Sequence, residues 1–142
     1  MSIFSRGLVA RRGLCLLDVE LIAPLGAFPR ESLALRALVD TGAEGSLLAA
    51  RLAAQLGLPV EGVAEVVDPF GKVTACLATA ADIVFHDDRT GPRNRVFTVN
   101  ARVVVADAEF TGGYELILGA NVLREFDLRV NYPEGWLSLS SA

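Results

Sequence analysis

The chain is poor in the residues that most often build a reactive or metal-binding centre. It has one histidine, His86, and two cysteines, Cys15 and Cys76, in no CxxC spacing. One imidazole and two separated thiols do not make a four-ligand zinc site. A Ser/His/Asp triad would have to rest on His86 alone, and in "FHDDR" that residue reads more simply as a turn position beside solvated acids. Asp87 and Asp88 lack the alternating oxygen ligands of a calcium loop. "FGKVT" lacks the first glycine of a phosphate loop. We therefore expect no metal and no cofactor.

Basic charge is also scarce. With 13 Lys and Arg against 17 Asp and Glu, the net charge is -4. That balance argues against a general nucleic-acid binder, whose affinity comes from cationic surface meeting phosphate. The three arginines of "RTGPRNR" read as a solvated loop. No stretch reaches the roughly 18 uninterrupted apolar residues of a membrane span. Arg6, Arg11 and Arg12 precede an apolar segment as in a signal peptide, but Asp18 and Glu20 interrupt "LCLLDVELIAP", where such a signal carries no charge. A cytoplasmic, unprocessed protein is expected. Its thiols read as two buried cysteines in a reducing compartment, with one disulfide as the alternative.

What the chain does have is apolar surface arranged in short alternating runs. Its 142 residues, 52% of them hydrophobic, are enough for one domain over 1–142 with a sizeable core. Leu17, Val19 and Leu21 alternate as in a strand, and "SLALRALVD" forms a second. "SLLAARLAAQLGL" carries Leu47, Leu48, Leu52 and Leu56 at helical spacing and stops at Gly57 and Pro59. Two strands flank the turn Asp68-Pro69-Phe70-Gly71, and "HDDRTGPRNR" reads as a polar loop. "RVFTVNARVVVAD" adds one or two strands. "YELILGANVL" adds an apolar strand that leads into a short helix, "NVLREF". A last hairpin turns at Pro133-Glu134-Gly135. The expected class is all-β with short helices, a small barrel or folded sandwich.

The informative segment is "LVDTGAEGSLL". An apolar strand ends there in a single acid, Asp40, followed by Thr41 and Gly42. The bland explanation is a cap for the following helix. The chemical one starts from the cost of placing a carboxylate at the end of a buried strand. Such an acid has a purpose if a second one faces it, because two touching carboxylates share a proton. One then acts as base on a water while the other protonates the substrate. The triplet occurs once, so the second acid would come from another copy around a twofold axis.

Three elements in order resemble the retropepsin-like aspartic proteases, retroviral enzymes and their bacterial single-domain relatives. They are "ALVDTGAEGS", the hairpin "VVDPFGKVT", and "LILGANVLREFDLRVNY", together spanning roughly residues 15–139. The resemblance implies a closed, β-rich barrel, the acid protease half, working as a homodimer on peptide or protein substrates. It makes Asp40 the catalytic acid, Thr41 a bond across the axis, and Gly42 a backbone contact to substrate. Ala43 and Glu44 would line the substrate site. Asp68, Pro69, Phe70, Gly71 and Lys72 would form a flap over it, and Gly119 and Asn121 would support the loop. The chain departs from the retroviral pattern in having Ala120 where those members carry an arginine opposite an acid, here Glu44. The flap tip is not glycine-rich, and the C-terminus forms a hairpin. The implied activity is an aspartic endopeptidase. The alternatives are a catalytically silent dimerisation or peptide-binding module, and a monomeric β-domain in which Asp40 merely caps a helix.

Overall fold

Alternating burial along the strands is what closes this molecule on itself. The computed structural model describes residues 4–23, 31–88, 96–107 and 109–141. Within them the order is β1 (Phe4–Val9), β2 (Cys15–Ile22), β3 (Ser32–Val39), β4 (Ser46–Ala49), α1 (Ala50–Leu56), β5 (Gly62–Val67) and β6 (Val73–His86). It continues with β7 (Val96–Ala106), β8 (Leu116–Leu118), α2 (Ala120–Leu123), β9 (Asp127–Asn131) and β10 (Trp136–Ser140). Strands β2, β3, β8, β4, β7 and β6 pair in that sequence, and β6 returns to β2 to complete a closed six-stranded barrel. The all-β class with short helices and the closed barrel are thus as expected.

The barrel interior is filled by every second residue of its strands, as the two-residue side-chain period requires. Leu17, Val19 and Leu21 of β2 meet Leu35, Ala37 and Val39 of β3, with Ile83 and Phe85 of β6 and Leu116 and Leu118 of β8. Phe126, just after α2, packs its ring 4.7 Å from Phe85 and 5.4 Å from Phe97. Asp18, between two core positions, stays exposed and pairs with Arg36 on β3 at 3.0 Å.

Two sheets extend from the barrel. One edge of β2 is shared: its first residues pair with β1 and its last with β6. Strand β1 then pairs with β10, and β10 with β9, as a three-stranded antiparallel flank. At the other end, β5 and the first half of β6 form a two-stranded hairpin that stands beyond the barrel.

Several sequence expectations need correction. The helix expected from Ser46 begins only at Ala50, because Ser46–Ala49 is a strand that pairs with both β7 and β8. Burial on both sides in this short strand imitates helical spacing. Its C-terminal end is as expected: Gly57 adopts φ 62° and its N–H bonds to Ala54, while Leu58 N–H bonds to Ala53. Strand β1 was not anticipated, "RVFTVNARVVVAD" is one strand, and the short helix spans Ala120–Leu123. His86 is the last residue of β6, its Nε2 3.4 Å from Glu20, and not a turn residue. The arginine loop at 89–95 lies outside the described residues. Both cysteines are free; Cys15 is buried, but Cys76 on the hairpin is only half-buried.

Gly7 shows how closely β1 lies on the barrel. A Cβ there would stand 2.2 Å from the Leu16 carbonyl oxygen. Gly7→Ala is therefore expected to destabilise the fold by about 1–3 kcal/mol, the usual range for an overpacked site. A urea midpoint equal to that of the wild type would contradict this packing.

Candidate active site

The loop carrying Asp40 joins β3 to β4, and both of those strands pair with the same short strand. β8 runs parallel to β3, with Val39 opposite Leu118, and antiparallel to β4, with Leu47 opposite Ile117. The loop is thereby stretched across the end of β8. Asp40 N–H donates to the Leu118 carbonyl at 3.0 Å. Where β8 turns into α2, Ala120 N–H donates to the Ala43 carbonyl at 2.8 Å and Asn121 N–H to the Glu44 carbonyl at 3.1 Å. The bend from strand to helix thus supplies successive donors to the underside of the loop.

Gly119 sits at the tightest point. A Cβ there would fall 2.1 Å from the Gly45 carbonyl oxygen and 2.9 Å from that of Ala43. The apolar-apolar-Gly pattern of "LILGAN" therefore has a steric cause: two core side chains, then a position where loop backbone touches backbone.

Asp40 itself is half-buried, with Thr41 and Gly42 exposed beside it. Its Oδ1 accepts a hydrogen bond from Gly42 N–H at 3.0 Å, and its carbonyl accepts one from Ala43 N–H at 3.3 Å. The carboxylate therefore points into its own turn. It caps no helix, since α1 starts ten residues later behind Ala49 with no side-chain cap. That removes the helix-cap explanation. Gly42 has no left-handed φ, and a Cβ on it would lie 3.4 Å from Asp40 Oδ1, an ordinary contact. Its role in the geometry is its N–H, and the missing side chain leaves that backbone open to a ligand.

Asp40 and Thr41 also lie on the rim of a cavity of about 350 Å³. Leu14, Cys15 and Leu38 form one wall, and Leu128, Val130 and Tyr132 of the C-terminal segment form another. An acid at the edge of an apolar hollow can hold a water while an extended chain lies alongside. The sequence did not single out this second wall, because its residues stand some ninety positions from Asp40 and meet it only through the β1–β10–β9 flank.

The five expected flap residues lie together at the hairpin tip, apart from the Asp40 loop. Asp68 N–H bonds to the Lys72 carbonyl, and Gly71 N–H to the Asp68 carbonyl, with Gly71 at φ 85°. This is a three-residue hairpin loop in which glycine takes the left-handed position. Asp68 Oδ1 accepts from both Phe70 N–H and Lys72 N–H at 2.9 Å. The acid thus braces its own turn, while Phe70 is 96% exposed at the tip.

One ion-pair cluster also secures the site. Arg51, in the first turn of α1, bonds Glu115 at 2.6 Å and Glu109 at 3.0 Å, fixing the segment before β8. Those contacts raise the Arg51 pKa, chiefly through the hydrogen bond to Glu115. Glu44 is exposed, and Ala120 offers it no cation. The hold on this part of the loop is main-chain. Among the described residues no group of three or more His, Cys, Asp or Glu side chains is placed to hold a metal ion, and no helix is long and apolar enough to cross a membrane.

Comparison with known proteins places these features in context. A family model described as aspartyl protease matches residues 31–122, from just before β3 into α2. The structure is similar to that of a retropepsin-like aspartic protease from Rickettsia conorii, with a TM-score of 0.60 at 16% identity over 100% of this chain and 95% of that one. The retroviral protease-like domain of Ddi1 from Leishmania major aligns with a TM-score of 0.42 at 16% identity, covering 83% and 82% of the two chains. No curated protein matches the sequence significantly.

The steric argument at Gly119 is open to a direct test. Gly119→Ala must push the loop off β8, so a loss of about 1–3 kcal/mol is expected. Faster amide exchange at residues 42–45 should accompany it. Unchanged exchange in that segment would mean the loop is not held by this contact.

Proposed function

The chain belongs to the aspartyl protease family, and from that premise we propose that it is a homodimeric endopeptidase that cuts peptide bonds with a water held between two copies of Asp40. The observation that carries this reading is the half-buried Asp40 carboxylate, aimed by the Gly42 N–H and set on the rim of an apolar hollow. One such acid cannot be base and acid at once. Two of them, brought together by a twofold axis, share one proton and divide the roles.

In that arrangement the ionised Asp40 takes a proton from the water, whose oxygen adds to the peptide carbonyl carbon. The protonated Asp40 of the other copy gives its proton to the carbonyl oxygen. The Asp40 that took the water proton then passes it to the peptide nitrogen as the C–N bond breaks. The other copy takes a proton back from a hydroxyl of the diol as the carbonyl re-forms. Thr41, exposed next to the acid, takes the bond across the axis in this reading, and the exposed Gly42 backbone meets substrate. The hairpin tip, with Phe70 uncovered, is suited to lie over the bound peptide, and Gly119 and Asn121 serve the loop from below. No metal or cofactor has a part in this chemistry. Free cysteines fit a reducing, cytoplasmic setting.

A competing reading is motivated by Ala120: a silent dimerisation or peptide-binding module. Binding of a pepstatin-type inhibitor by wild type but not by Asp40→Ala, followed by thermal shift, favours the enzyme; binding to neither favours the module.

Asp40→Asn keeps the shape and the acceptor for Gly42 N–H but removes the titrating group. It is expected to leave the fold intact and abolish peptide hydrolysis, and equal turnover by the variant would reject the assignment. The pH profile follows from the shared proton. Raising the pH ionises both carboxylates and removes the acid, and lowering it far enough protonates both and removes the base. Activity should therefore be bell-shaped with its maximum on the mildly acidic side. A rate that climbs steadily towards pH 9 is incompatible with it. Sedimentation should show a concentration-dependent dimer, and activity should fall with its dissociation.

A further inference from the structure

Ser46 closes the loop that carries Asp40. Its side chain is completely buried, at the first residue of β4. The hydroxyl accepts a hydrogen bond from Gly119 N–H at 3.1 Å and donates one to Asn121 Oδ1 at 2.8 Å. Asn121 Nδ2 in turn donates to the Arg102 carbonyl of β7 at 3.0 Å. The direction of this chain is forced. The Gly119 N–H can only donate, so the serine hydrogen must go onward and the asparagine must turn its oxygen to it. Its NH2 then faces a carbonyl, which can only accept. One hydroxyl therefore links the end of the Asp40 loop, the Gly119 corner and β7.

We propose that Ser46 is a positioning residue for Asp40. The loop of 40–46 is fixed at its front by Asp40 N–H on Leu118 and in its middle by Ala43 and Glu44 on α2. The Ser46 hydroxyl is the only side chain among the described residues that ties its rear to the same corner. Leu118 and Gly119 are neighbours, so any shift of Gly119 relative to β4 moves the residue on which Asp40 hangs. Removing the hydroxyl leaves a buried N–H and the Asn121 oxygen without partners, and the corner relaxes to satisfy them. The bond most exposed to that relaxation is the one from Gly42 N–H to Asp40 Oδ1, which aims the carboxylate. A displacement near 1 Å at a reacting group lowers rate by about 10²-fold while leaving distant substrate contacts in place.

This inference rests on the protease reading for its kinetic arm, so the test has a second arm that does not. Ser46→Ala, Ser46→Thr and wild type are compared for kcat and KM on a peptide substrate, and for amide exchange at Gly42. The expected result is that Ser46→Ala lowers kcat by about 10²-fold with KM little changed, exposes the Gly42 amide to faster exchange, and keeps a cooperative unfolding transition. Ser46→Thr, which retains the hydroxyl, recovers both. Equal kcat and equal Gly42 exchange in Ser46→Ala overturn the proposal, as does a loss that falls on KM alone. If Ser46→Ala does not fold, Asn121→Ala breaks the same chain from its half-buried end. It must then show the same selective fall in kcat and the same Gly42 exchange, or the idea fails. A wild-type protein with no peptidase activity defeats the functional reading alone, and the Gly42 amide still decides the role of Ser46.

Discussion

The structure depends on one backbone arrangement: a three-residue strand wedged between the two strands that flank a loop. Because β8 pairs with β3 on one edge and β4 on the other, the ends of the 40–46 loop cannot drift apart. The turn from β8 into α2 then offers its N–H groups upward into that loop. The contact works only where Gly119 lacks a side chain, since the Gly45 carbonyl occupies the space a Cβ would need. Main-chain hydrogen bonds from Ala120 and Asn121 tie the loop to this corner, and they hold it without a charged partner for Glu44. Ala120, where a charged brace is found in the retroviral pattern, loses little structurally, because the residue still gives its N–H to Ala43.

That rigidity makes an otherwise unfavourable feature tolerable. A carboxylate at the end of a core strand is costly to desolvate, and Asp40 limits the cost by staying half-exposed and by accepting one backbone N–H. A fully buried acid would demand more donors, and a fully exposed one would have no fixed direction. The intermediate position keeps the group aimed and open on one side. The proposed sharing of a proton between two acids needs both properties, and a loop held from below provides them while leaving Thr41 and Gly42 exposed beside the acid.

Much of this was legible in the sequence, and the exceptions are physically informative. The strand ending in Asp-Thr-Gly and the "LILGAN" segment carry their meaning in local order, so the acid and its glycine support stood out. β1 was missed because "FSRGLV" has weak alternation and a glycine; only its fit against Leu16 and β10 makes it a strand. The helix start was misplaced because Leu47 and Leu48 lie in a strand covered by neighbours on both edges, where burial no longer alternates cleanly. The hollow beside Asp40 was invisible, since β9 reaches it only because β10 pairs with β1, a strand from the far end of the chain. Ser46 was visible as a letter but not as a hydrogen-bond hub, because its partners Gly119 and Asn121 stand 73 and 75 positions away at the turn from β8 into α2.

The hairpin beyond the barrel follows the opposite logic to the loop. Strand β6 runs without interruption from the barrel into the hairpin, so its odd-numbered residues stay on one face throughout. Inside the barrel that face carries Ala81, Ile83 and Phe85, all core residues. Beyond it the same face carries Val73 and Leu77, opposite Val67 and Val63 of β5, and all four are at least half exposed. A two-stranded ribbon with its apolar face uncovered is marginal by itself and draws its stability from its root. Burial of that face against an extended chain would remove apolar area from water at roughly 25 cal/mol per Å², a gain the hairpin can realise only by closing on something. The fold thus divides its work between a loop tied at every polar atom that matters and a ribbon tied only at its base. The first gives the Asp40 carboxylate a fixed direction, and the second carries an apolar face that the described residues leave exposed.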